Sequence, residues 1–150
     1  MAFKTGQGVK QDHVKAANWF AQAADKGLAE AQLNLALAYF EGKGVAKDDV
    51  QAVKWFAKAA IQGHPTAQYG LALMINTGRG VPYNLVEALT WYKLAASKGH
   101  RKAIMALKRF TETVKPHQAK DLTKAMAIAD RSAKAWKPEV QPDRGLPVWW

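Results

Sequence analysis

The sequence predicts an all-α protein, a solenoid built from antiparallel helix pairs. Three observations carry that prediction. Trp19, Trp55 and Trp91 recur at a single interval of 36 residues. The same step joins Gly6, Gly42 and Gly78, then Gly8, Gly44 and Gly80, then Gly27, Gly63 and Gly99, with no insertion anywhere. Between the glycines lie Ala-, Leu- and Gln-rich stretches without a helix breaker, so each unit reads as helical. A fixed period of about 20–50 residues is the mark of stacked supersecondary units that bury their apolar faces against one another.

One unit shows each element in order. Ala29 to Glu41 forms a first helix, helix A. Gly42-Lys43-Gly44-Val45 ends it, because glycine enters the left-handed backbone region that a sharp reversal needs. Asp48 follows as an N-cap, with Gln51 at the capping-box position. Asn84 and Glu87 take these roles one period later, and Asp12 takes the cap one period earlier. Helix B then runs to about Gln62, Gly63 sits where a left-handed residue closes a helix, and Pro65 opens the next helix A at a position that tolerates proline. In helix B, Ala52, Trp55, Phe56, Ala59 and Ala60 lie at three- and four-residue spacing on one face. The alanines permit close approach, and the tryptophans are expected to fill the space between repeats. In helix A the recurring positions are Ala31 and Leu35, Ala67 and Leu71, and Ala103 and Leu107.

The two ends depart from the pattern. Phe3 aligns with Tyr39, so nearly all of the first helix A is missing; the chain is expected either to begin inside a longer protein, the favoured reading, or to start with an exposed half-repeat. Gly99 to about Glu112 makes a fourth helix A with no Gly-x-Gly behind it. Val114-Lys115-Pro116-His117 leads instead into a longer helix, about Pro116 to Trp136, whose apolar stripe is Leu122, Ala125, Ala129, Ala133 and Trp136. Its remaining faces are charged, as a terminal cap requires. The domain reading is residues 1–112 as repeats, the first truncated, 113–137 as a C-terminal capping helix, and 138–150 as a tail. Pro138, Pro142, Gly145 and Pro147 make that tail extended. It ends Val148-Trp149-Trp150, a pair expected either to dock on a solenoid surface, its own or a neighbour's, or to mark a fragment end.

Composition removes several chemistries. Among 150 residues there is no cysteine, which excludes disulfides, thiolate metal sites and a cysteine nucleophile. No stretch approaches the roughly 18 apolar residues of a membrane span, and no basic-then-apolar leader opens the chain. His13, His64, His100 and His117 lack metal-ligand spacing, so no metal is expected. Ser97 and Ser132 sit in no nucleophile elbow. The Gly-x-Gly turns lack the phosphate-loop fingerprint and a preceding strand. No nucleophile, base and orienting group come together, so neither catalysis nor a cofactor is expected. The net charge is +10, and residues 93–137 hold 12 Lys/Arg against 3 Asp/Glu. Such a basic end attracts an acidic partner or simply solubilises the face. Without groove-reading or stacking geometry it argues against nucleic acid.

The pattern Ala-x-x-x-Leu, Gly-x-Gly-Val, an acidic or amide cap, Ala-x-x-Trp-Phe/Tyr, Ala-Ala and a closing glycine resembles the Sel-one-like repeat family, relatives of the tetratricopeptide repeats. It covers about residues 3–112. Tyr39 fits the aromatic of late helix A, whereas Ile75 and Thr111 replace it later. The resemblance implies a right-handed α-solenoid of antiparallel helix pairs with 36-residue repeats, acting as a non-enzymatic scaffold or adaptor. It tilts the compartment towards periplasmic or secreted. It also implies that the helix A side opposite Ala31, Leu35 and Tyr39 lines a concave groove. That side carries Leu33, Leu37 and Phe40, then Tyr69, Leu73 and Asn76, then Met105 and Arg109; Lys102 joins them from the basic end. These positions vary while the packing positions repeat, as a binding surface on a fixed scaffold would. The other reading of Leu33, Leu37 and Leu73 is contact with a neighbouring helix or cover by the tail. The partner expected in the groove is a protein or peptide; the basic end would steer an acidic one, and the apolar row would hold it. Three further functions stay open: an immunity or inhibitor protein that neutralises a toxin or enzyme; a self-assembling element joined through its tail; and, weakened by the missing cysteines, the β-lactam hydrolysis suggested for some relatives.

Overall fold

The computed structural model describes residues 6–113 and 115–137, and its seven helices follow the repeat. They are α1 (Gly6–Asp25), α2 (Ala29–Glu41), α3 (Asp49–Ile61), α4 (Pro65–Thr77), α5 (Leu85–Ser97), α6 (Arg101–Glu112) and α7 (Ala119–Ala135). No strand occurs among the described residues. From α1 to α6 each helix packs on its sequence neighbour, while α7 packs chiefly on α5. Phe3 and the tail from Pro138, with its terminal tryptophans, lie outside the described residues.

The local signals act as the sequence predicts in the two complete repeats. The Asp48 carboxylate accepts from Gln51 N at 3.1 Å, and the Asn84 amide oxygen accepts from Glu87 N at 3.1 Å. His64 and His100 cap α4 and α6, their Nδ1 atoms accepting from Ala67 N and Ala103 N at 3.4 and 3.3 Å. The second glycine of each turn does more than reverse the chain. A Cβ on Gly80 would strike the backbone of Asp49 and lie 2.9 Å from Val50 N; on Gly44 it would strike His13 and Val14 in the same way. Each turn therefore seats on the second helix of the preceding repeat, backbone against backbone: at the start of α3 for Gly80 and inside α1 for Gly44.

The first repeat differs. Residues 6–25 form one continuous helix, so Gly6-Gln7-Gly8 is helical and Asp12 lies inside α1, not at a cap. In the later repeats the reversal is held by bonds back to a completed helix, such as Lys43 N to Ala38 O at 3.0 Å and Asp48 N to Tyr39 O at 3.0 Å.

The core is alanine-rich and tightly closed. Ala52, Ala57, Ala59, Ala60, Ala67, Ala72, Ala88, Ala95 and Ala103 are all fully buried, and Leu71, Leu89, Ile75, Met74 and Phe56 fill the space between them. The tryptophans do not share one role. Trp91 is buried because the Trp136 ring meets it edge-on at 6.0 Å. Trp55 is half-buried under Lys58, 4.4 Å above its ring. Trp19 is 71% exposed, so it seals nothing among the described residues. A buried amide ladder joins the repeats as well. Gln32 Nε2 donates to Ala24 O at 3.3 Å, and Gln68, one period on, donates to Ala60 O at 3.2 Å. Gln62 Nε2 and Lys98 Nζ, also one period apart, reach back to Gly27 O and Gly63 O.

The last helix departs from the hairpin plan. Without a Gly-x-Gly turn to fold it onto α6, α7 lays Leu122, Ala125 and Ala129 against Leu89 of α5. Ala133 and Trp136 then join the main core. Lys93 Nζ pins it further by an ion pair with Asp130 at 2.6 Å.

Candidate binding surface

Three cavities lie in a row across the helix A side, and neighbours share residues. The first, about 200 Å³, lies between α1 and α2 and ends at Leu37. The second, about 350 Å³, runs from Leu37 and Phe40 of α2 to Tyr69 and Leu73 of α4 and the start of α6. The third, about 280 Å³, starts again at Tyr69 and Leu73 and is closed by Asn76, Ala106, Arg109 and Phe110. The face is thus one interrupted groove rather than three separate dents.

The middle cavity owes its depth to Gly70. The equivalent positions are Asn34 and Ala106. A Cβ on Gly70 would lie 2.6 Å from Phe56 Cε1 and 2.7 Å from Cδ1. Its absence lets the Phe56 ring rise through the helix surface as an apolar floor beside Met74 and Leu73. One wall is built by stacking: the Tyr69 ring lies on His100 with centroids 4.9 Å apart and planes at 25°. Tyr69 also tilts against Tyr92 at 5.9 Å, which in turn meets Phe110 at 6.0 Å.

The rim is cationic. Arg101 and Lys102 border the cavity at the start of α6. The Arg79 guanidinium lies 4.6 Å and Lys47 Nζ 5.7 Å from the Phe40 ring centroid, within cation–π range, although neither residue lines the cavity. Arg79 is held there by Asp49, with Nη2 to Oδ1 at 3.0 Å. Burial, with the neighbouring Lys102 and His64 charges, lowers the His100 pKa and keeps the imidazole neutral. Burial also pushes the Tyr92 hydroxyl up to about 12, with Tyr69 adding to the rise, while a hydrogen bond with Asn76 pulls the other way.

The predicted residues divide. Leu37, Phe40, Tyr69, Leu73 and Lys102 line the middle cavity, and Asn76 and Arg109 line the third. Leu33 is 5% exposed and belongs to the core cluster, so it supports the fold and offers nothing to a partner. Its neighbours close over it because α2 is buried over most of its circumference. Met105 is 55% exposed but borders none of the three cavities. Sequence reasoning missed Phe56, Gly70, His100 and Arg101. A helix-interior glycine outside the 36-residue register was the available signal for the first two. The two residues opening α6 could be placed beside the groove only once α4 and α6 were seen side by side.

Ser97 and His64 are engaged in structural contacts. Ser97 Oγ donates to Leu94 O at 2.6 Å, which is a local helix bond. His64 Nε2 meets Glu30 Oε2 at 2.7 Å, tying α4 to α2. Among the described residues no three His, Cys, Asp or Glu side chains cluster as a metal site, and no helix is long and apolar enough to cross a membrane.

Comparison with family models matches the Sel1 repeat at residues 1–28, 29–64 and 65–100. The chain belongs to the Sel1 repeat family. Its members are generally protein–protein interaction scaffolds. Among solved structures, this Sel1 repeat chain is similar to c5321, a protective antigen of uropathogenic Escherichia coli strains displaying an SLR fold. The TM-score is 0.73 with 32% identity, over 93% of this chain and 31% of that one. It is also similar to a Sel1 repeat protein from Oxalobacter formigenes, with TM-score 0.66 and 36% identity, over 88% of this chain and 54% of the other. The chain therefore spans about a third and about half of the lengths of these two. No functionally curated protein matches it.

Proposed function

We propose that this Sel1 repeat chain is a non-catalytic interaction module that holds a segment of another protein along its helix A groove. The observation that carries this reading is the row of three cavities joined at Leu37 and at Tyr69 and Leu73. A pocket of about 300 Å³ or more with apolar walls and a few polar groups at its mouth is the usual form of a recognition site. Helix pairs fixed by buried alanines supply a rigid wall, so little ordering cost falls on the scaffold when a segment binds.

The test is peptide display on the wild-type protein and on the Leu37→Asp, Leu73→Asp double variant. Both leucines are half-buried at the ridges between cavities. The expected outcome is a family of peptides enriched on the wild type and lost on the variant, with circular dichroism and melting close to wild type. Peptides retained by the double variant refute the groove. Unfolding of the variant also refutes it, by showing that the two leucines are core.

A further inference from the structure

Resting on the groove reading, we infer that the middle cavity selects a peptide segment whose large apolar side chain is flanked by carboxylates. Shape gives the first half of this requirement. Phe56, Met74, Leu37 and Leu73 make a floor with no ionisable group, in a cavity of about 350 Å³. That volume suits one aromatic or long aliphatic anchor, the kind of side chain that contributes most per residue at an interface.

Charge gives the second half. No Asp or Glu lines the middle cavity, while Arg101 and Lys102 border it. Neither of these makes an ion pair among the described residues. Arg79, which lies over the Phe40 ring outside the cavity lining, is already paired with Asp49. Arg101 and Lys102 therefore present two uncompensated cations beside an apolar hole. A lysine or arginine beside the anchor is repelled on entry; an aspartate or glutamate is drawn in. His100 adds no competing charge, because its ring is neutral and engaged in capping α6. The apolar floor favours such a peptide over a polyphosphate chain, whose charges would find cations only at the rim.

The experiment uses fluorescein-labelled, terminally blocked peptides in which one phenylalanine is flanked by two aspartates, by two asparagines or by two lysines. Anisotropy is measured on the wild type and on Arg101→Glu, Lys102→Glu. The aspartate peptide is expected to bind about tenfold more tightly than the asparagine peptide, as two screened ion pairs allow. The double charge reversal is expected to invert the preference towards the lysine peptide. Replacing phenylalanine by glycine should abolish binding, and an oligothymidylate should not displace the aspartate peptide. Equal affinity for the three flanks, an unchanged preference in the reversed variant, displacement by the oligothymidylate, or no binding to the wild type each overturns the inference. Display peptides that still need Leu37 and Leu73 in any of those cases would leave the groove standing and remove the charge rule alone.

Discussion

Gly78 and Gly80 share one turn and one backbone region, with φ of +66° and +70°, yet their surroundings differ. That contrast separates conformational cost from packing cost. An alanine in the left-handed region costs roughly 1–2 kcal/mol. The loss of freedom in the unfolded chain offsets about 0.4–1 kcal/mol of it. At Gly78 the nearest atom to a new Cβ is Tyr83 Cβ at 3.8 Å, an ordinary contact, so Gly78→Ala should destabilise by about 1 kcal/mol. At Gly80 the Cβ collides with the Asp49 carbonyl and lies 2.9 Å from Val50 N. Those atoms belong to the α3 backbone and cannot rotate aside; the repeats must separate. Overpacking adds about 1–3 kcal/mol, giving roughly 2–4 kcal/mol for Gly80→Ala. Urea denaturation of both variants reads the difference, and each kcal/mol should lower Tm by about 2–4 °C at this chain length. Hydrogen exchange should show Gly80→Ala loosening the first turn of α3, and Gly78→Ala leaving it protected. Equal destabilisation by the two substitutions would refute the claim that the second glycine is a docking point between repeats.

Three further expectations follow from single sites. Gly70→Ala adds helix propensity of about 1 kcal/mol but meets the Phe56 ring at 2.6 Å, so it should destabilise; in a Phe56→Leu background the same change should become neutral or stabilising, and additivity in a double-mutant cycle would argue against the contact. Tyr92 titrates at about 12 in the fold against about 10 when unfolded, a raised pKa, so its contribution is complete below pH 10 and is lost as pH rises towards 12; Tyr92→Phe should flatten the alkaline fall in stability, and an unchanged slope counts against the buried hydroxyl. His100 has the opposite sign: its pKa is lowered, so its contribution is present above the ordinary histidine range and is lost as pH falls and Nδ1 can no longer accept from Ala103 N. His100→Asn keeps a capping oxygen and should reduce the acid sensitivity of α6, read by amide exchange.

The spacing of glycines, caps and alanines was enough to place the helices of the two complete repeats, though not α1, which runs through Gly6, Gly8 and Asp12. Ala29–Glu41 emerges with the bounds its composition implies, and Asp48 and Asn84 cap as their positions require. These are local decisions, made within a few residues by backbone geometry and side-chain hydrogen bonding, so they are written in the chain. Periodicity also marked most of the buried alanines: Ala52 and Ala88, Ala59 and Ala95 are buried in register, while Ala16 and Ala23 of the first repeat are only half-buried. What it did not reveal depends on neighbours distant in sequence. Leu33 and Leu37 share a helix face by spacing, yet one is core and the other lines the groove, since burial is set by which helix lies alongside. Trp19, Trp55 and Trp91 are one residue type in one register but range from exposed to buried, because only Trp91 has Trp136 over it. The middle cavity likewise sets Arg101 and Lys102 at the start of α6 beside Leu37 and Phe40 of α2, residues from separate repeats. Register gives a residue its place within a unit; the stacking of units, whose free energy comes from long-range burial, decides what that place touches.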